Sequence, residues 1–123
     1  MGRYLFLIIS VLSCSLSAEV MRMNQQNGEE ILSSTRPTIV DVYADWCPPC
    51  AQFGPIFSDM SDEREAIQFV KLNADQEPEL ARKFRIKALP TTLFLKGGKE
   101  LGRKAGSMSK EDLEAAIHHY FKN

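Results

Sequence analysis

Three short apolar runs, separated by segments with helical periodicity, constrain the fold of this chain more than any other feature. The runs at 38–44, 67–72 and 91–95 are nearly continuous and rich in β-branched residues, as is typical of strands buried on both faces. Residues 77–84, between the second and third runs, are predicted to form a helix. Between the first two runs, apolar residues recur at the spacing of one helix face: Phe53, Ile56, Phe57 and Met60. The order strand, helix, strand, helix, strand predicts an α/β fold with a central sheet flanked by helices.

The segments after the third run predict that the sheet is mixed. The turn at 96–99 contains two glycines and joins the third strand to a short strand at 100–105, which makes an antiparallel hairpin. Ser109 and Asp112 then resemble a capping box before a closing helix. Its apolar face is formed by Leu113, Ala116, Ile117, Tyr120 and Phe121. Upstream, we expect a short edge strand at 20–23 and a helix that spans 24–34.

Length and charge exclude several classes of protein. The chain has 123 residues, which fits one domain with one core. Its 15 basic and 16 acidic residues leave a net charge of −1, so no basic surface is available to hold nucleic acid. Three cysteines are too few for a disulfide-stapled scaffold. We therefore expect proteins or small molecules as partners.

The first eighteen residues have the composition of a secretory signal. Arg3 supplies a positive start, residues 4–12 are almost wholly apolar, and 13–18 are mostly small. The apolar run is shorter than the ~20 residues that a permanent membrane span needs. The sequence therefore predicts a signal peptide at 1–18, a folded domain at 19–123 and export of the mature protein.

Cys14 leaves two forms of this signal open. Cleavage before Glu19 would remove Cys14 with the signal. Alternatively, residues 11–14 resemble a bacterial lipobox, in which the cysteine is lipidated and anchors the mature protein. The predicted location is accordingly the periplasm, either free or anchored to a membrane that faces it.

The chemistry is concentrated where the first buried strand ends, in the sequence Trp46-Cys47-Pro48-Pro49-Cys50. Two cysteines at this spacing can form a disulfide. A helix that starts here directs its free N–H groups and positive dipole end at the first sulfur, which favours the thiolate. Cys47 is therefore predicted to be the nucleophile. Cys50, one turn further along and shielded, is predicted to be the thiol that resolves a mixed disulfide.

Two simpler interpretations of the cysteines remain. The pair could be a structural disulfide, or it could be half of a zinc site. Zinc takes four ligands, and the other candidates are Cys14 in the signal and the adjacent His118 and His119 of the last helix. These histidines are most simply exposed helix residues, so we predict no metal site.

From about Thr38 to its end, the chain resembles thioredoxin. The resemblance rests on separated motifs in the same order: an apolar strand with one acid, Trp-Cys-x-Pro-Cys, a helix containing Pro55, Lys71, Leu89-Pro90-Thr91, Gly98 and Gly106. It implies a thioredoxin fold and a thiol-disulfide oxidoreductase that needs no cofactor besides a redox-active Cys47–Cys50 disulfide. Residues 43–47 also resemble the thioredoxin-like domain of bacterial membrane reductases that carry electrons to the periplasm.

By this resemblance, Asp41 is the buried carboxylate beneath Cys50 that helps move the proton of that thiol. The residues agree, because a lone acid in an apolar strand is poorly solvated and its pKa should rise. Lys71 corresponds to the neighbouring lysine of the family and would oppose that rise. Alternatively, Lys71 is an ordinary exposed lysine of an edge strand.

The resemblance also assigns a substrate-binding surface. Pro90 corresponds to the cis-proline opposite the cysteines, and Leu89 before it would offer its backbone to a substrate chain. Trp46 would pack against the active-site helix and a docked partner, or serve a purely structural role. Gly106 would serve a turn with positive φ and leave room for the peptide, and Gly98 would serve a turn of the same kind. Pro48 and Pro49 complete the predicted site.

Two departures from the family bear on function. Pro48 stands where thioredoxins usually have glycine, so one N–H that could donate to Cys47 is missing and the loop is stiffer. With no histidine between the cysteines, this favours a potential nearer about −270 mV than the about −120 mV of a dedicated oxidant. Ala51 stands where a cation often follows the second cysteine.

Three functions from different classes therefore remain. The favoured one is an exported, monomeric reductase of protein disulfides, with a membrane thiol-disulfide reductase as electron donor. An oxidase or isomerase of the same fold is the alternative. A non-catalytic binding or chaperone module would not need Cys47, Cys50 and Asp41 together.

Overall fold

A computed structural model describes residues 20–122 of the chain. The predicted signal at 1–18 and the proposed lipidation of Cys14 lie outside these residues. Within them the elements, in chain order, are β1 (Met21–Arg22), α1 (Gly28–Ser33), β2 (Thr38–Tyr43), α2 (Pro48–Glu63), β3 (Gln68–Asn73), α3 (Pro78–Lys83), β4 (Thr91–Lys96), β5 (Lys99–Ala105) and α4 (Lys110–Tyr120).

The strands of residues 20–122 form one mixed sheet in the order β1-β3-β2-β4-β5. β3 pairs in parallel with both β1 and β2, whereas β4 pairs antiparallel with β2 and β5. The predicted mixed sheet with a terminal hairpin is confirmed. In this register Asp41 of β2 has Lys71 on one side and Thr92 on the other.

The two faces of the sheet carry separate apolar clusters, because successive strand residues point to opposite faces. One face, with Ile39 and Phe94, packs against α2 and α4 through residues such as Phe57 and Leu113. The other face, with Val40 and Leu93, packs against Ile31 of α1 and Leu80 of α3. Asp41 is two residues from Ile39 and so lies on the α2 face.

α2 is the helix that positions the cysteines. Its buried residues recur along one face: Cys50, Phe53, Phe57, Met60 and Ser61. This stripe contains three of the four residues whose spacing predicted the helix. Burial of the stripe against the sheet holds the first turn of α2 at the carboxyl end of β2.

Two predictions need correction. The helix expected within 24–34 is only Gly28–Ser33, because Asn24 and Asn27 exchange side-chain hydrogen bonds with backbone N–H groups at 2.8 and 3.0 Å and hold a turn instead. The edge-strand interpretation of Lys71 is wrong, since β3 lies between β1 and β2. Lys71 is partly buried rather than exposed at an edge.

Candidate functional site

The two cysteines lie at the start of α2 and are joined by a disulfide, with their Cα atoms 5.2 Å apart. Cys47 is the N-cap, and its sulfur accepts a hydrogen bond from the backbone N–H of Cys50 at 3.3 Å. Pro48 and Pro49, the first two helical residues, have no N–H to donate. Within the first three helical residues, Cys50 is therefore the sole backbone donor to this sulfur.

Burial does not distinguish the two cysteines as the sequence led us to expect. Cys47 is 4% exposed and Cys50 is 5% exposed, so both are covered in the disulfide form. Ala44 is buried with them, and Tyr43 and Leu89 pack against the group. The difference between them lies in position: Cys47 caps the helix, whereas Cys50 belongs to the stripe that faces the sheet.

The loop before β4 lies directly beside Cys47. The Leu89–Pro90 peptide bond is cis, as the resemblance implied. The carbonyl oxygen of Leu89 is 3.6 Å from the Cys47 sulfur. Hydrogen bonds hold the loop on both sides, from Thr91 Oγ1 to Ala88 O at 2.6 Å and from Gly106 N to Pro90 O at 2.8 Å. The backbone of this loop thus lies next to the Cys47 sulfur.

Gly98 and Gly106 have positive φ values of 79° and 91°, which confirms the conformational reason for glycine at both positions. A Cβ at Gly106 would meet no atom within 4 Å. The side of Gly106 where a Cβ would stand is therefore open space.

Trp46 lies at the rim of the site. It is 69% exposed, and its indole Nε1 donates a hydrogen bond to Asp75 Oδ2 at 2.7 Å. Asp75 is placed by a turn in which Asn73 Oδ1 accepts its backbone N–H at 3.0 Å. The indole therefore stands as a fixed, exposed wall beside Cys47.

A groove of about 340 Å³ runs along this surface. Its walls are mainly apolar and have one cationic side chain, and the lining residues include Trp46, Cys47, Ala74, Ile86, Lys87 and Leu89. The predicted substrate-binding residues Trp46 and Leu89 meet here at Cys47.

Asp41 lies on the buried side of the site and is 1% exposed. Burial raises the pKa of its carboxyl from 3.8 to about 6, and the positive charge of Lys71 partly opposes that rise. Lys71 Nζ lies 5.4 Å from the centre of the Tyr43 ring. The expected raised acid and its opposing lysine are both present, side by side in the register of β2 and β3.

Two further residues of the site were missed. Asp75 follows the second apolar run in a loop, where no pattern connected it with Trp46. Thr92 was treated only as part of the apolar third run. In the structure it is completely buried and lies directly across from Asp41. A polar residue inside an apolar run was the available signal.

None of the helices formed by residues 20–122 has the length and apolar character of a membrane span. In the same part of the chain, His, Cys, Asp and Glu side chains form no group of three or more that could hold a metal ion. His118 and His119 are exposed on α4.

Comparison with known proteins identifies the family. The family model described as Thioredoxin matches residues 19–119. A thioredoxin of Mycoplasmoides gallisepticum is 33% identical over 94 residues, which cover 76% of this chain and 94% of that protein. A bifunctional thioredoxin reductase/thioredoxin of Mycobacterium leprae is 35% identical over 85 residues, 68% of this chain and 19% of that protein.

A solved structure agrees with this assignment. The thioredoxin of Malassezia sympodialis superposes with a TM-score of 0.77 at 27% identity, and the match covers 83% of this chain and 90% of that one. The chain therefore belongs to the thioredoxin family, whose members are protein-disulfide oxidoreductases that use their own cysteine pair and need no cofactor.

Proposed function

We propose that this thioredoxin is an exported reductase of protein disulfides. The observation that carries the proposed chemistry is the position of the Cys47 sulfur: it caps α2, accepts the Cys50 N–H, and lies against the Leu89 carbonyl at one wall of the groove. Membership of the family supports a protein disulfide as substrate and a reductase as electron donor.

In the proposed reaction, the Cys47 thiolate attacks one sulfur of a substrate disulfide. A mixed disulfide forms and the other substrate sulfur leaves as a thiolate. Cys50 then loses its proton to Asp41 and attacks Cys47, which releases the second substrate thiolate and forms the Cys47–Cys50 disulfide. Two electrons pass to the substrate, and the donor reductase returns them to the cysteine pair.

The hydrogen-bond supply to Cys47 supports reduction as the net direction. A low pKa of the first thiol means a stable thiolate, which stabilises the reduced form of the cysteine pair. The disulfide form is then a stronger oxidant. Here the first two helical residues are prolines, so Cys50 N–H is the backbone donor that remains in the first turn of α2. Weak thiolate stabilisation favours the disulfide form of the protein and therefore the reduction of its partners.

Export rests on the sequence of residues 1–18, with either removal or lipidation of Cys14. The electron donor on that side of the membrane would be a membrane thiol-disulfide reductase. Fractionation of cells that express the full chain tests this: we expect the protein in the periplasmic or membrane fraction. A Cys14→Ser variant separates the two forms, because it releases a lipidated protein from the membrane and leaves a cleaved one where it was.

Cysteine variants test the chemistry. Cys50→Ser should trap substrate proteins as mixed disulfides through Cys47, whereas Cys47→Ser should trap none and should not reduce insulin. Equilibration with glutathione should give a reduction potential of about −270 mV for the Cys47–Cys50 pair. A potential of about −120 mV would show an oxidase instead. Preferential trapping by Cys47→Ser would show that Cys50 is the nucleophile and Cys47 the resolving thiol.

A further inference from the structure

Two buried oxygen atoms on facing strands have no hydrogen-bond partner among residues 20–122: Asp41 Oδ1 and Thr92 Oγ1. Asp41 of β2 and Thr92 of β4 are register partners in the antiparallel pair. Residues directly opposite in such a pair share one face, with Cβ atoms roughly 4.5–5.5 Å apart. The carboxyl and the hydroxyl therefore occupy the same buried space beneath α2.

Thr92 differs in this respect from the other buried threonines. Thr38 Oγ1 donates to the carbonyl of Arg36 at 3.1 Å, and Thr91 Oγ1 donates to the carbonyl of Ala88 at 2.6 Å. Thr92 is 0% exposed and stands before the apolar residues Leu93 and Phe94. Valine has the same shape, so a hydroxyl that bonded to nothing would only cost stability at this position.

The surroundings of Asp41 leave the hydroxyl a distinct role. Of the titratable groups on this side of the sheet, Lys71 is the register partner of Asp41 on β3, Tyr43 lies two residues along its own strand, and Cys50 belongs to the buried face of α2. Lys71 acts on the carboxyl through its charge. A hydroxyl can donate to the ionised carboxylate and accept from the protonated acid, so Thr92 can serve both states of Asp41.

We propose that Thr92 is a positioning residue for proton transfer: its hydroxyl is joined to the Asp41 carboxyl through one bridging water molecule, and this link fixes the orientation in which Asp41 exchanges a proton with Cys50. The catalytic part of this inference rests on the function proposed above. The proton passes from the Cys50 sulfur to Asp41, and Thr92 neither gains nor loses a proton overall.

Titration of the Asp41 carboxyl in Thr92→Val, Thr92→Ser and the unaltered protein tests the hydrogen bond. The measurement uses ¹³C-labelled aspartate and the oxidised protein, in which the cysteines do not titrate. A hydrogen bond to a carboxylate stabilises the charged form, so its loss in Thr92→Val should raise the Asp41 pKa by about one unit. Thr92→Ser keeps the hydroxyl and should leave the pKa within about 0.3 unit of the original.

Thr38→Val is the matched control. It removes a buried hydroxyl from β2 on the face opposite Asp41, so it should change stability and leave the pKa of the Asp41 carboxyl unchanged. The inference is overturned if Thr92→Val moves the carboxyl pKa no more than Thr38→Val does, or if Thr92→Ser moves it as far as Thr92→Val.

The pH profile of insulin reduction then tests the catalytic part. In Thr92→Val the acidic limb of the profile should shift to higher pH together with the carboxyl pKa, and in Thr92→Ser it should not shift. An unmoved limb in a protein whose carboxyl has shifted would overturn the positioning role. Because the carboxyl titration does not depend on turnover, failure of the proposed reductase activity would be a separate result.

Discussion

The two sides of the Cys47–Cys50 disulfide treat polar groups in opposite ways. On the solvent side, the exposed Trp46 indole has its N–H bonded to Asp75 at 2.7 Å. On the buried side, Asp41 Oδ1 and Thr92 Oγ1 have no partner within the described part of the chain. Energetic considerations favour the reverse arrangement, because an unpaired polar group costs most where water is excluded.

This difference separates recognition from proton chemistry. On the solvent side, the hydrogen bond to Asp75 holds the Trp46 indole beside Cys47. Burial on the other side raises the pKa of the Asp41 carboxyl to about 6, which lets it both take and return a proton. In the proposed function, the disulfide therefore lies between a surface that binds the partner and a buried acid that destabilises the fold but can exchange a proton with Cys50.

Removing the charge of Asp41 should produce the largest effect. The pKa of its carboxyl is 3.8 when unperturbed and about 6 in the folded protein. The favourable contribution of the protonated carboxyl is fully present below pH ~4 and is lost as pH rises through about 6. Relative to the unaltered protein, Asp41→Asn should therefore gain about 2 kcal/mol in free energy of unfolding between pH 4 and 7.5.

Urea unfolding of the oxidised protein at several pH values measures this difference. Exposed Asp62 supplies the control, since Asp62→Asn should change the free energy of unfolding by less than about 0.5 kcal/mol. Insulin reduction by Asp41→Asn should be slowest, relative to the unaltered protein, below neutral pH. A stability difference between Asp41→Asn and the unaltered protein that stays constant over the pH range would contradict the buried-acid interpretation.

A smaller effect is expected at the start of α2, where the two sides meet. Pro48→Gly restores a backbone N–H next to the Cys47 sulfur, which should stabilise the thiolate and make the potential less negative by about 10–30 mV. Pro55→Ala, in the same helix but beyond its first turn, should leave the potential unchanged. Equal potentials for Pro48→Gly and the unaltered protein would show that this residue does not tune the cysteines.

The sequence predicted the buried side better than the rim, for physical reasons. Strand periodicity and burial are local patterns, so the placement of Asp41 in an apolar strand and the direction of its pKa shift followed from the sequence. The partner of Trp46 did not, because Asp75 lies 29 positions away in a loop. Thr92 was hidden by its apolar neighbours, and only the pairing of β2 with β4 places it opposite Asp41.

The smallest expected effect concerns the rim itself. Trp46→Phe keeps an aromatic wall but removes the N–H that Asp75 accepts, and Asp75→Ala removes the acceptor. Because the pair is exposed, a double-mutant cycle on the free energy of unfolding should give a coupling below about 1 kcal/mol. The KM for a protein substrate should rise more than kcat falls, since the indole positions the partner and takes no part in sulfur exchange. A fall in kcat at constant KM would show that Trp46 contributes to sulfur exchange. It would contradict the assignment of binding to the exposed side and proton transfer to the buried side.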